Sequence, residues 1–134
     1  MKIAIPLRRV IDKDFIEALK ALARAKGLDV KHVHAIARAI RQAKDAVADH
    51  AETTDALRAK HDGVFAPGGF VTFDRGNDRE AAQKAMLDFQ ADMKAALEAS
   101  VEFTTNGLIK LPEGLTADHA AELIEFFEAE QEPK

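Results

Sequence analysis

Arg38, Arg41 and Lys44 follow one another at three-residue steps, with His34 one turn earlier. That spacing places all four along one side of a helix. Guanidinium groups bind phosphate and carboxylate oxygens through paired, fork-like hydrogen bonds. The chemistry expected of His34, Arg38, Arg41 and Lys44 is therefore capture of an anionic ligand. A solvated face, or one paired with carboxylates, would carry the same spacing. The other reactive residue types are poorly placed. His32 and His34 are two apart and point to different sides of a helix, and His50 and His61 are three turns apart. Neither arrangement is the one-turn His pair of a zinc-protease helix, so no metal site is expected. The chain has no cysteine, and therefore neither a thiol nucleophile nor a thiolate metal site. Ser100 lies outside any nucleophile-elbow motif, and Pro67-Gly68-Gly69 lacks the spacing and Lys-Ser/Thr ending of a phosphate loop. These residues point to binding, with no catalytic residue and no cofactor.

Charge is distributed unevenly along the chain. Residues 1–44 carry eleven Lys/Arg against four Asp/Glu, whereas the remainder is strongly acidic, leaving a net charge of −4. A positive N-terminal third attracts phosphates, nucleic acid or an acidic protein surface, or pairs with the acidic remainder within or between subunits. At 134 residues the chain is long enough for one domain with its own core, and the expectation is a single domain over 1–134. No apolar stretch approaches 18 residues, so no membrane partner is expected. The first residues lack the apolar region of a signal peptide, and absent cysteine suits a cytoplasmic setting.

The elements that must position the basic side chains follow from periodicity and capping. Lys2 to Leu7 reads as a short extended segment, kept to an edge or lead-in by Pro6. Asp12 or Asp14 caps a helix with Phe15, Ile16, Leu19, Leu22 and Ala23 on one face, and Gly27 permits its end. Asp29 starts a much longer helix that ends around His61-Asp62-Gly63. Its seam interleaves two seven-residue series, Val33, Ile40, Val47, Thr54, His61 and Ile36, Ala43, His50, Leu57. Val64 to Phe73 reads as a small hairpin around Pro67-Gly68-Gly69. Asn77 or Asp78 caps a helix to about Ala99 with Ala82, Met86, Phe89, Met93 and Leu97 on one face. Asn106-Gly107 predicts a tight hairpin between 101–105 and 108–111. Thr116 caps a last helix that buries Leu123, Ile124 and Phe126 or Phe127. The class is α+β, mainly α: a long helical hairpin (about 30–61 and 78–99), a small antiparallel sheet (64–73, 101–111) and short terminal helices.

Two resemblances bear on function. Residues 19–38, with the turn at Gly27 and apolar Val33 and Ile36 beyond it, resemble a helix-turn-helix. That likeness implies Lys31, His32, His34 and Arg38 facing a DNA groove and Arg24 and Lys26 near phosphates. Over residues 30–128, the chain resembles small proteins encoded by tailed bacteriophages. The shared order of parts runs from the charged helix ending at Lys60-His61-Asp62-Gly63, through Val71-Thr72-Phe73-Asp74, the helix Phe89 to Leu97 and Val101-Glu102-Phe103, to Leu115-Thr116-Ala117-Asp118. This resemblance implies a viral accessory protein in the host cytoplasm, of the kind that inhibits host defences or assists particle assembly.

The leading expectation is a non-enzymatic, homo-oligomeric binding protein that captures an anionic ligand such as a nucleotide immune signal. The alternatives are a helix-turn-helix DNA-binding regulator and an assembly or interaction protein that docks through the long helix.

Overall fold

The computed structural model describes residues 1–128. Its contacts group into two compact units, residues 1–47 with 100–128, and residues 48–99. A long helix contributes to both.

In the first unit, strand β1 (Lys2–Pro6) alternates exposed Lys2 and Ala4 with buried Ile3 and Ile5, the period of a half-buried strand. Pro6 ends it and leads into a single turn, α1 (Leu7–Val10). Asp12 caps α2 (Lys13–Ala23) by accepting from the Asp14 N–H at 2.9 Å, and the helix buries Phe15, Ala18, Leu19 and Leu22. Gly27 adopts φ 85° in the turn that follows, a conformation a side chain would strain. Helix α3 (Val30–Lys60) is one unbroken helix of 31 residues, roughly 45 Å long.

Strand β4 (Ser100–Thr104) does not form the hairpin expected across Asn106-Gly107. It pairs antiparallel with β1, Ile3 opposite Phe103 and Ile5 opposite Val101, and Thr105 extends the pairing by donating to the Met1 carbonyl at 2.9 Å. Gly107 does take a positive φ of 103°, so a turn forms there. The segment after it leaves β4, and Ile109 instead forms a parallel bridge with Phe127. Burial explains the choice: pairing with β1 puts Ile3, Ile5 and Phe103 on one inward face, and the bridge buries Ile109 with Phe127. Thr116 caps α5 (Ala117–Glu122), accepting from the His119 N–H at 3.2 Å, and a 3₁₀ turn (Ile124–Phe126) follows. Leu123, Phe126 and Phe127 are buried, but Ile124, expected in the core, is 67% exposed. Phe15, Phe103 and Phe126 meet as a cluster with ring centroids 5.8–6.4 Å apart.

The second unit holds the C-terminal part of α3, the hairpin β2 (Val64–Phe65) and β3 (Val71–Thr72), and α4 (Arg79–Glu98). Asp78 caps α4, accepting from the Ala81 N–H at 3.0 Å. The left-handed residue that ends α3 is Asp62, with φ 53°, rather than Gly63. Gly63 has a different role, because a Cβ there would lie 2.6 Å from the Val71 side chain. The Gly63 N–H returns to the Arg58 carbonyl at 2.8 Å, which closes the helix end. The apolar face expected of α4 forms but is not buried: no α4 residue is buried, and Met86 and Leu87 are exposed.

Truncating the central ring of the aromatic cluster tests this arrangement. Phe103→Ala should cost about 3–5 kcal/mol of stability in urea unfolding; a loss under about 1 kcal/mol, the level of a surface change, would mean that the cluster is not the core's anchor.

Candidate functional site

Helix α3 presents its two predicted seams differently. Ile36 and Ala43 of one series are buried at 2% and 0%, beside buried Ala35 and Ala39. Val33 and Val47 of the other series are each 38% exposed. The helix therefore packs mainly on the first series; of the second, Ile40 still packs half-buried against the core, while Val33 and Val47 are exposed, with exposed Ala51 one turn beyond Val47.

The same helix carries the predicted ligand-binding residues. His34, Arg38, Arg41 and Lys44 are all exposed, and helical spacing puts them on one outward side. Among the described residues, none of the four makes an ion pair or side-chain hydrogen bond. The structure thus brings the four together, but on a convex surface. The apolar hollow of about 590 Å³ in the first unit is lined by Leu108, Leu111, Ala120, Ile124 and Phe127 with acidic Glu125 and Glu128, and no basic residue lines it. A second depression touches Lys31 and His34 but is wide open and shared with Asp29.

The residues of the helix-turn-helix alternative divide. Arg24, Lys26, Lys31, His34 and Arg38 are exposed, while His32 is half-buried with its Nδ1 enclosed. The Asn106 side chain donates to the Lys31 carbonyl at 3.2 Å, tying the loop after β4 onto the first turn of α3. The helix preceding α2 is only the single turn α1, and α2 packs chiefly against α5.

Two further features stand out, of which the spacing suggests only that His50 or His61 could meet a carboxylate across the seam. The first continues the basic side of α3: Asp45, Asp49 and Glu52 follow Arg38 and Arg41 at the same helical steps, so one side changes from basic to acidic near its middle. The second is a polar cluster in the second unit. His61 Nε2 lies 2.7 Å from Asp92 Oδ2, and Lys60 Nζ donates to the same oxygen at 2.9 Å. Phe89 stands edge-on to the imidazole, 6.2 Å between centroids, and packs on Phe73 at 5.4 Å. Arg75 donates to the His61 carbonyl at 2.6 Å and Arg58 to the Gly63 carbonyl at 3.0 Å, so two cations satisfy the end of α3. A carboxylate at position 92, among Phe89, Met93 and Ala96 on the apolar side of α4, was the available signal. The cluster brings no hydroxyl or thiol to the imidazole, and its geometry joins α3 to α4. Among the described residues no group of three His, Asp or Glu could hold a metal ion, and no helix is long and apolar enough to cross a membrane.

The comparisons with family models, curated proteins and solved structures return no match to this chain.

The hydrogen bond with His61, and then that from Lys60, hold the Asp92 carboxyl below its ordinary value. A folded value below the unfolded one gives stability that is complete above the unfolded carboxylate range and is lost as pH falls through the folded value. Asp92→Asn should therefore lower the melting temperature at neutral pH, and the gap from the wild type should close in strongly acidic solution. A gap that persisted unchanged in acid would mean that Asp92 acts through packing instead.

Proposed function

We propose that this chain is a non-enzymatic, oligomeric accessory protein of the phage type, acting through the outward side of α3 as a docking surface for a macromolecule. One observation carries the reading: α3 leaves Val33, Val47 and Ala51 exposed on the same helix as a row of charges that make no ion pair among the described residues. Apolar contact with a charged border is the composition of a protein interface, in which burial supplies affinity and charge selects the partner. A small anion held on a convex helix would stay hydrated on most of its surface, whereas small-molecule sites are concave and enclose most of the ligand.

A second reading has its own support. His34, Arg38, Arg41 and Lys44 lack carboxylate partners among the described residues, and unpaired guanidiniums on one side suit a phosphate-bearing ligand, a nucleotide immune signal included. DNA recognition through Arg24, Lys26 and Lys31 is less well supported, because Asn106 occupies the flank of the first turn of α3.

Site-specific photo-crosslinking separates these readings. A photoreactive side chain at Ala51 should give conjugates with a macromolecule, whether another copy or a different protein, while the same group at Leu87 of α4 should give far less. A melting temperature raised by nucleotides and no longer raised in Arg38→Ala/Arg41→Ala, with no conjugate from position 51, would replace docking with ligand capture. Binding to duplex DNA that weakens steeply with salt would instead favour the regulator.

A further inference from the structure

A second basic group stands apart from the outward side of α3. The end of α2 and the turn after it bring Arg24 and Lys26 to a depression of about 400 Å³, and the start of α5 brings Thr116 and His119 to the same one. We infer that this depression binds the phosphate group of a small phosphate ester, with Arg24, Lys26, Thr116 and His119 as its donors. The docking reading of α3 does not depend on this site.

All four side chains are exposed, and the fold leaves their donors unspent. Among the described residues, Arg24, Lys26 and His119 make no ion pair and no side-chain hydrogen bond. The Thr116 hydroxyl accepts from the His119 backbone N–H at 3.2 Å and keeps its own proton to give. Cations near a helix C-terminus commonly serve its open carbonyls. This chain has such cases, since Arg58 donates to the Gly63 carbonyl and Arg75 to the His61 carbonyl. Arg24 stands at the end of α2, yet its guanidinium donates to no carbonyl among the described residues. A guanidinium fork, an ammonium, an imidazole N–H and a hydroxyl together suit the three acceptor oxygens of a phosphate ester.

Shape separates this place from the row on α3. Arg38 and Arg41 project from one convex helix, whereas here two elements that pack on each other, α2 and α5, wall a concave space. Beside it a further depression runs between Lys26 and Glu113 over Gly27 and Gly114. Nothing lies within 4 Å of where a Cβ would stand on either glycine, so a ligand can approach the backbone there. The surrounding charges limit what fits. Glu113 lines both depressions, and Asp14, Glu17, Asp118 and Glu122 line the next one between α2 and α5, which shares His119. A long polyanion laid across this end of the fold would meet those carboxylates, so the site selects a short ligand with a single phosphate over duplex DNA.

Heteronuclear NMR on the isotope-labelled full chain tests the site. Inorganic phosphate and adenosine monophosphate, titrated at constant ionic strength, should each give saturable amide shifts centred on Lys26, Gly114 and Thr116, and sodium chloride should give none. Arg24→Gln/Lys26→Gln should weaken both ligands on the order of tenfold or more, whereas Arg38→Ala/Arg41→Ala should leave them unchanged. Glu113→Gln removes the carboxylate beside the phosphate and should tighten both. All the changed side chains are exposed, and amide spectra unchanged away from the site will verify that each variant folds. No saturable shift, shifts that map to α3, or an affinity indifferent to the changes at Arg24, Lys26 and Glu113 would each overturn the inference. Duplex DNA that shifts the same amides and displaces adenosine monophosphate would overturn it too, by assigning these cations to a nucleic-acid backbone.

Discussion

Three phenylalanines distant in sequence, Phe15 on α2, Phe103 on β4 and Phe126 beyond α5, meet inside the first unit, and its other contacts follow from that meeting. The chain has few aromatics and much alanine, and these three rings are the largest of its fully buried side chains. Burying Phe103 requires β4 to lie with one face inward, and β1 completes that face with Ile3 and Ile5. Burying Phe126 draws in the C-terminal segment, where Leu123 and the bridge between Ile109 and Phe127 close the other side. Arg9 reinforces the closure through an ion pair with Glu125 and a hydrogen bond to the Glu122 carbonyl at 2.8 Å. The hydrogen bond to Glu125 is the main cause that raises the Arg9 pKa above its ordinary value.

A core of this size covers only part of a 31-residue helix. The buried residues of α3 are Ala35, Ile36, Ala39 and Ala43, all in its N-terminal half. Beyond them, Lys60 and His61 meet Asp92 of α4, and no residue of α4, nor any of α3 past Ala43, is buried. Hydrophobic stabilisation scales with the area removed from water, so half-covered Met93, Leu97 and Leu57 contribute less than the same residues would in a closed core. Uncovered apolar surface of this kind belongs to association rather than to the isolated chain.

The parts legible in the sequence are those governed by neighbours in the chain. Asp12, Asp78 and Thr116 announce their helices because a cap acts across two or three residues, and the structure shows each bond. The mainly helical α+β class and the hairpin around Pro67-Gly68-Gly69 follow for the same reason. The partner of β4 was not legible. Asn106-Gly107 encodes a turn, and Gly107 makes one, but a turn does not dictate that the following residues return as a strand. That is decided by which face Phe103 must bury, and the answer lies about a hundred residues away in β1. The basic row on α3 was readable from spacing alone. Its acidic continuation, Asp45, Asp49 and Glu52, is equally readable from spacing.

The same arginines support two readings, and the shape of their surroundings distinguishes them. A phosphate gains most from guanidiniums when several converge from different elements and exclude water, because exposed pairs are screened and gain little. Arg38 and Arg41 project from a single helix and are exposed, and the same helix leaves Val33 and Val47 exposed. What such a surface lacks is the opposite wall. A macromolecular surface laid against the exposed valines withdraws them from solvent, whereas a small anion on the guanidiniums leaves them uncovered.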